Sequence, residues 1–141
     1  MRLPHITPFA KAPIYFFTAC VAARRPLLAA AEPSLILREV WQKSAVFDGW
    51  FVGRYVIMPD HVHSLLVFPT AADMSRVVGD WKRFTARKLG VLWQTNYFDH
   101  RVRDHHKLQE AAVYIRRNPV AKGLCVRAED WPWVWPVQAS E

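Results

Sequence analysis

Two pairs of residues in this sequence have types and spacings suited to chemistry: His61 and His63, with one valine between them, and Tyr114 and Asn118, four apart. The histidines lie in YVIMPDHVHSLLVFP, which reads as two strands pinched around Pro59 and Asp60. Residues two apart in a strand point to the same face, so the imidazoles project side by side just past the turn. Two imidazoles on one rigid strand make half of a divalent-metal site. The plainer alternative is a pair of partly exposed histidines at a strand edge. Tyr114 and Asn118 lie in YIRRNPVAKG and share a helix face one turn apart. Asn118 offers a carbonyl oxygen to a metal, Tyr114 offers a phenol, and Arg116 and Arg117 flank them. Here the plainer alternative is a helix-ending asparagine before Pro119 and a tyrosine packed on the core.

These residues need elements to hold them. IYFFTACV, Ile14 to Val21, predicts a first strand by its aromatic and β-branched content. Ser34 is placed to cap a helix with Leu37, Val40, Trp41 and Ala45 inward, and Gly49 closes it. Trp50 to Met58 and His61 to Phe68 predict two more strands around the turn. After Asp73 a second helix carries Met74, Val77, Val78, Trp81 and Phe84 as its apolar stripe, with Arg76, Arg83 and Arg87 on another face, and stops at Gly90. Trp93 to Val102 predicts a fourth strand. A third helix from about Asp104 turns Leu108, Ala111, Ala112 and Ile115 inward, and Pro119 should end or bend it at Asn118. Three of the tyrosines (Tyr15, Tyr55 and Tyr97) fall in predicted strands; Tyr114 alone sits on a helix.

Strand, helix, strand, strand, helix, strand is the order of a ferredoxin-like α+β sandwich, with an antiparallel four-stranded sheet, two packing helices and an additional C-terminal helix. The chain of 141 residues reads as one domain, with a loose proline-containing arm (1–13) and a C-terminal tail (125–141) whose WPWVW suggests an aromatic strap over the core. No apolar run approaches the roughly 20 residues of a membrane span. There is no secretory signal pattern, and Cys20 and Cys125 match neither a disulfide framework nor a zinc motif, so a reducing, cytoplasmic location is expected.

The net charge of +7 suggests a polyanionic partner. It is concentrated: Arg76 to Arg127 holds twelve lysines and arginines against four acids, a local +8. Basicity alone also fits solvated helix faces.

MPDHVHSLL, followed about fifty residues later by YIRRNPVAKGL, resembles the REP-associated tyrosine transposases, single-tyrosine relatives of the HUH nucleases. LWQTNYFDHRVRD resembles that family's link into the tyrosine helix, and the likeness runs from about Ile14 to Trp135. The family usually has Asn where this chain has Asp60, and commonly Arg where it has Ala121 and Lys122; Asp60 adds a negative charge beside the histidines. The resemblance implies a ferredoxin-like core and a metal-dependent nickase and strand transferase for single-stranded, hairpin-containing DNA. It implies His61, His63 and Asn118 as ligands of Mg²⁺ or Mn²⁺ and Tyr114 as the nucleophile that takes the 5′ phosphate. Arg76, Arg83, Arg87, Arg101, Arg116, Arg117 and Lys122 are the candidate DNA-binding cations.

A divalent ion would neutralise phosphate charge and fix the group for in-line attack. A free tyrosine titrates near pH ~10, so the nucleophile needs a cationic neighbourhood. Histidine ligands suit Mn²⁺ better than Mg²⁺, whereas abundance favours Mg²⁺. His100, His105 and His106 stand close to the tyrosine helix, where solvated histidines are common. Two rival readings are a domesticated DNA-binding protein that grips hairpin repeats without cutting, and a metal-dependent hydrolase of small phosphoesters. The first does not need all four site residues, and the second leaves the basic segment without a purpose. Whether the protein acts as a monomer or a homodimer is left open by the sequence.

Overall fold

The computed structural model describes residues 13–68 and 74–137. Asp73 and the arm up to residue 12 lie outside the described residues. The strands are β1 (Ile14–Cys20), β2 (Phe51–Ile57), β3 (His61–Val67), β4 (Phe98–Val102) and β5 (Val134–Trp135). The helices are α1 (Ala31–Lys43), α2 (Met74–Leu89) and α3 (His105–Ala121). The strands form one antiparallel sheet in the order β4-β1-β3-β2-β5. The first four give the expected ferredoxin-like sandwich. The tail does more than strap the core: Val134 and Trp135 pair with Val56 and Tyr55 as a fifth strand, and Trp131 Nε1 donates to the Ile57 carbonyl at 3.0 Å. The outer edge of β2 would otherwise present unpaired backbone groups.

Alternation gives the central strands two buried faces. Phe17, Ala19, Val62 and Leu66 face α1 and α2, which contribute Leu37, Trp41, Val78 and Trp81. Ile14, Phe16, Leu65 and Val67 face α3, which contributes Leu108, Ala111 and Ile115. In β2 the register shifts between Val52 and Arg54, which returns Tyr55 and Ile57 to the same face as Val52. No helix among the described residues is long and apolar enough to cross a membrane.

Several boundaries differ from those expected. α1 begins at Ala31 after Ala30, without a side-chain cap, so Ser34 is inside its first turn. Pro33 is tolerated there because first-turn N–H groups have no intrahelical acceptor. Phe84 is 40% exposed rather than inward, since the buried stripe of α2 runs Val78, Trp81, Thr85. The fourth strand starts only at Phe98, leaving Tyr97 outside it; Trp93 makes an isolated bridge to Val21.

The most consequential difference is in α3. It continues through Pro119 instead of ending at Asn118. Lys122 N bonds the Asn118 carbonyl at 3.0 Å, Gly123 N the Val120 carbonyl at 3.0 Å and Leu124 N the Pro119 carbonyl at 2.9 Å. With Gly123 at φ 74 this is a Schellman close, which ties the carbonyls of the last turn while Pro119 and Asn118 are buried.

Candidate active site

β3 lies between β1 and β2, so the histidines are on a central strand and not at an edge. The turn before them is clamped: Met58 N bonds the His61 carbonyl at 2.8 Å, Val21 N that of Asp60 at 2.9 Å and Leu28 N that of Pro59 at 3.0 Å. The two imidazoles stand 4.7 Å apart, centre to centre, at 77°. They are not partly exposed at an open mouth. His61 is 6% and His63 7% exposed, because α3 lies over this face of the sheet.

Each ring is held by its Nδ1. His61 Nδ1 is 2.6 Å from Asp60 Oδ1, and His63 Nδ1 is 2.7 Å from Thr18 Oγ1. An ionised carboxylate only accepts, so the Asp60 bond places the proton of His61 on Nδ1 and leaves the Nε2 lone pair for a cation. Arg24 Nε donates to the other Asp60 oxygen at 2.8 Å. A terminal Arg24 nitrogen also comes within 3.4 Å of His61 Nδ1, but with the Nδ1 proton aimed at Asp60 this is an approach of two donors. Ala23 and Arg24 adopt φ 57 and 53, a left-handed conformation uncommon for residues other than glycine. Arg24 and Thr18 were not singled out from the sequence. Thr18 could be found only from the register that sets it opposite His63, and Arg24 carries no local signal.

Burial holds the His61 imidazole below its ordinary pKa despite the bond to Asp60, and pushes His63 down to about 3. Burial would raise the Asp60 carboxyl, but the hydrogen bonds with Arg24 and His61 outweigh it and leave the group below its ordinary value. Both rings are thus neutral at pH 7, the state in which imidazole binds a metal.

No cluster of three histidine, cysteine, aspartate or glutamate side chains able to hold a metal occurs among the described residues. The donor at hand is an amide. Asn118 is 2% exposed and its Oδ1 has no hydrogen-bond partner among the described residues. The other two such atoms, Ser64 Oγ and Trp81 Nε1, belong to residues of the opposite sheet face. Asn118 lies between Tyr114 and Lys122 at four-residue steps along α3. The Tyr114 ring is 5.3 Å from that of His63, and the charge of Lys122 acts on both histidines. The free Nε2 of His61, the neutral imidazole of His63 and the partnerless amide oxygen of Asn118 are donor types that suit a divalent cation.

Tyr114 is 48% exposed and stands over the sheet, its ring 5.8 Å from that of Phe16. Beside it opens a cleft of about 710 Å³, lined in part by Phe16, His63, His100, Arg101 and Tyr114. Asp104 caps α3 by accepting from Lys107 N at 2.8 Å. His105 contacts Gln109 and His106 pairs with Glu110 on the exposed surface of α3, whereas His100 stacks on Phe16.

The proposed DNA-binding cations divide between the two sides of the sheet. Arg101 is on the cleft wall, and Arg116, Arg117 and Lys122 are exposed along α3. Arg76, Arg83 and Arg87 are on α2, across the sheet from the histidines, and are not brought to the cleft. Arg76 and Arg83 both pair with Asp80, and Arg87 lies over the Phe84 ring. Lys82, counted in the basic segment, is a structural anchor: its Nζ donates to the carbonyls of Gln94, Thr95 and Asn96 at 2.7, 3.1 and 3.2 Å.

Comparison with known proteins gives several likenesses, among them the following. The family model described as "Transposase IS200 like" matches residues 11–118. A REP-associated tyrosine transposase of Escherichia coli K12 is 28% identical over 128 residues, covering 89% of this chain and 77% of that protein. A solved structure of a REP-associated tyrosine transposase bound to a REP hairpin superposes with a TM-score of 0.77 at 22% identity, over 100% of this chain and 92% of that one.

Proposed function

Since this chain belongs to the IS200-like transposase family, we propose that it nicks and rejoins single-stranded DNA carrying hairpins, with Tyr114 as nucleophile. The observation that carries this reading is the Tyr114 ring 5.3 Å from His63, one helical turn from the partnerless oxygen of Asn118. The hairpin substrate follows from the relatives, one named for REP association and one bound to a REP hairpin.

His61 and His63, through Nε2, and Asn118, through Oδ1, would hold Mg²⁺ or Mn²⁺. When bound, such an ion would supply charge neutralisation at a phosphoryl oxygen and so favour in-line attack. The remaining steps belong to the chain. Tyr114 Oη bonds to phosphorus, the bond from phosphorus to the 3′ oxygen breaks, and that oxygen leaves as a hydroxyl after taking up a proton. The phenol proton passes to water, which reaches the half-exposed ring. The 5′ phosphate stays on Tyr114, so a 3′ hydroxyl attacking it later rejoins DNA without ATP. Arg101 on the cleft wall and Lys122 beside the histidines oppose the charge of the strand.

The test is incubation with hairpin-containing single strands and Mn²⁺. The wild type should give a covalent protein–DNA adduct at Tyr114; Tyr114→Phe should fold, bind metal and DNA, and give none. An adduct at another residue, or nicking by the Phe variant, overturns the assignment. Binding without any adduct by the wild type would favour a hairpin-binding protein that no longer cuts.

A further inference from the structure

We propose that the part of the cleft toward the sheet edge is a nucleobase subsite, in which the base next to the reacting phosphate stacks on a shelf made by Phe16 and His100. The proposal rests on the single-stranded DNA reading above. On the α3 face of the sheet, aromatic rings form a row from the metal pair outward. His63 on β3 lies 5.4 Å from Phe16 on β1, and Phe16 lies 5.3 Å from His100 on β4. The last two planes differ by only 17°, a stacked pair, and Tyr114 closes the row from above. His100 is exposed on an edge strand and lines the cleft, so its ring is not used up as core packing. The cleft volume falls within the roughly 300–1,000 Å³ usual for small-ligand sites.

The charges around the shelf favour an anionic strand. Arg101 and Arg103 line the cleft, and neither makes an ion pair among the described residues. The acids beside them are engaged: Asp104 caps α3, and Glu110 pairs with His106 at 2.8 Å and Lys107 at 3.6 Å. An aromatic shelf with a cationic wall is how proteins hold unpaired bases, since every base has a π-face while the backbone needs only positive charge. A base inside a duplex has both faces covered by its neighbours, so this shelf accepts only an unstacked nucleotide. It would select single strand at the one position where the phosphate must be reached.

The test uses the Tyr114→Phe background, so that no strand is consumed, and fluorescence anisotropy with hairpin oligonucleotides carrying one abasic site at successive single-stranded positions. One position should lower affinity by roughly five- to tenfold when His100 is present. The same abasic site should cost nothing in His100→Ala, and His100→Phe, which keeps the π-face, should behave as His100 does. If no position couples to residue 100, or if the Phe variant behaves like the Ala variant, the shelf is overturned while the functional reading stands. If the folded protein binds no single strand at all, both are overturned.

Discussion

At the residue scale, Asp60 is the informative departure. Where the resembling family usually has an amide, this chain has a carboxylate bonded to both His61 and Arg24. A carboxylate behind a ligating imidazole fixes its tautomer and raises its basicity, and such outer partners are worth about 10- to 100-fold in metal affinity. Asp60→Ala should therefore weaken Mn²⁺ binding about 10- to 100-fold in calorimetric titration without DNA, whereas Asp60→Asn, which retains an acceptor oxygen, should recover most of it. Unchanged affinity in the Ala variant would mean that the clamped turn alone orients His61. This is a cleaner probe than truncating a histidine. His63 is buried and bonded to Thr18, so His63→Ala leaves a cavity and an unpaired hydroxyl. That change is expected to cost about 1–3 kcal/mol of stability, and lost cleavage would then have two explanations.

At the scale of elements, α3 positions half of the site through its ending. Gly123 adopts φ 74, and a Cβ there would meet nothing within 4 Å, so any cost of Gly123→Ala is backbone strain alone. Gly90, after α2, has φ 68 and the same open surroundings. Each Gly→Ala change should lower stability by about 1–2 kcal/mol in denaturant melts. Only Gly123→Ala should also weaken metal binding, because the turn it closes carries Asn118 and Lys122. Equal metal affinity in the two variants would detach the helix end from the site. The ending of α3 was also where the sequence was hardest to read. Local rules place a boundary at the residue before proline, but the Schellman bonds and the burial of Asn118 and Pro119 override them. Strand order, the histidine face and the Tyr114–Asn118 stripe were legible because they depend on periods of two and of about 3.6 residues. The burial of the histidines, the Thr18 partner and the Arg24–Asp60 contact were not, because they arise from which helix covers which sheet face and from a left-handed backbone with no glycine to announce it.

At the scale of the whole molecule, the sheet separates two basic surfaces. Arg116, Arg117 and Lys122 are carried by α3 on the side of the site, and Arg101 and Arg103 line the cleft at the β4 edge, while Arg76, Arg83 and Arg87 lie on α2 behind it. Asp80 offsets part of the second group by pairing with Arg76 and Arg83. A short single strand held in the cleft cannot also reach α2 through the sheet; a hairpin stem emerging from the cleft could bend around the β4 edge and do so. The two surfaces therefore predict different salt dependences. Arg101→Ala with Arg103→Ala should flatten the dependence of log affinity on log salt for every DNA containing a single-stranded segment, by about 0.7 per lost phosphate contact. Arg83→Ala with Arg87→Ala should leave the slope for an unstructured strand unchanged and flatten that for the hairpin by about 0.9 per contact. Titrations of both DNAs at several salt concentrations with the two double variants measure all four slopes. If the α2 variant leaves the hairpin slope unchanged as well, the α2 arginines are a solvated face balanced by Asp80, and the stem rests on Arg116 and Lys122 instead.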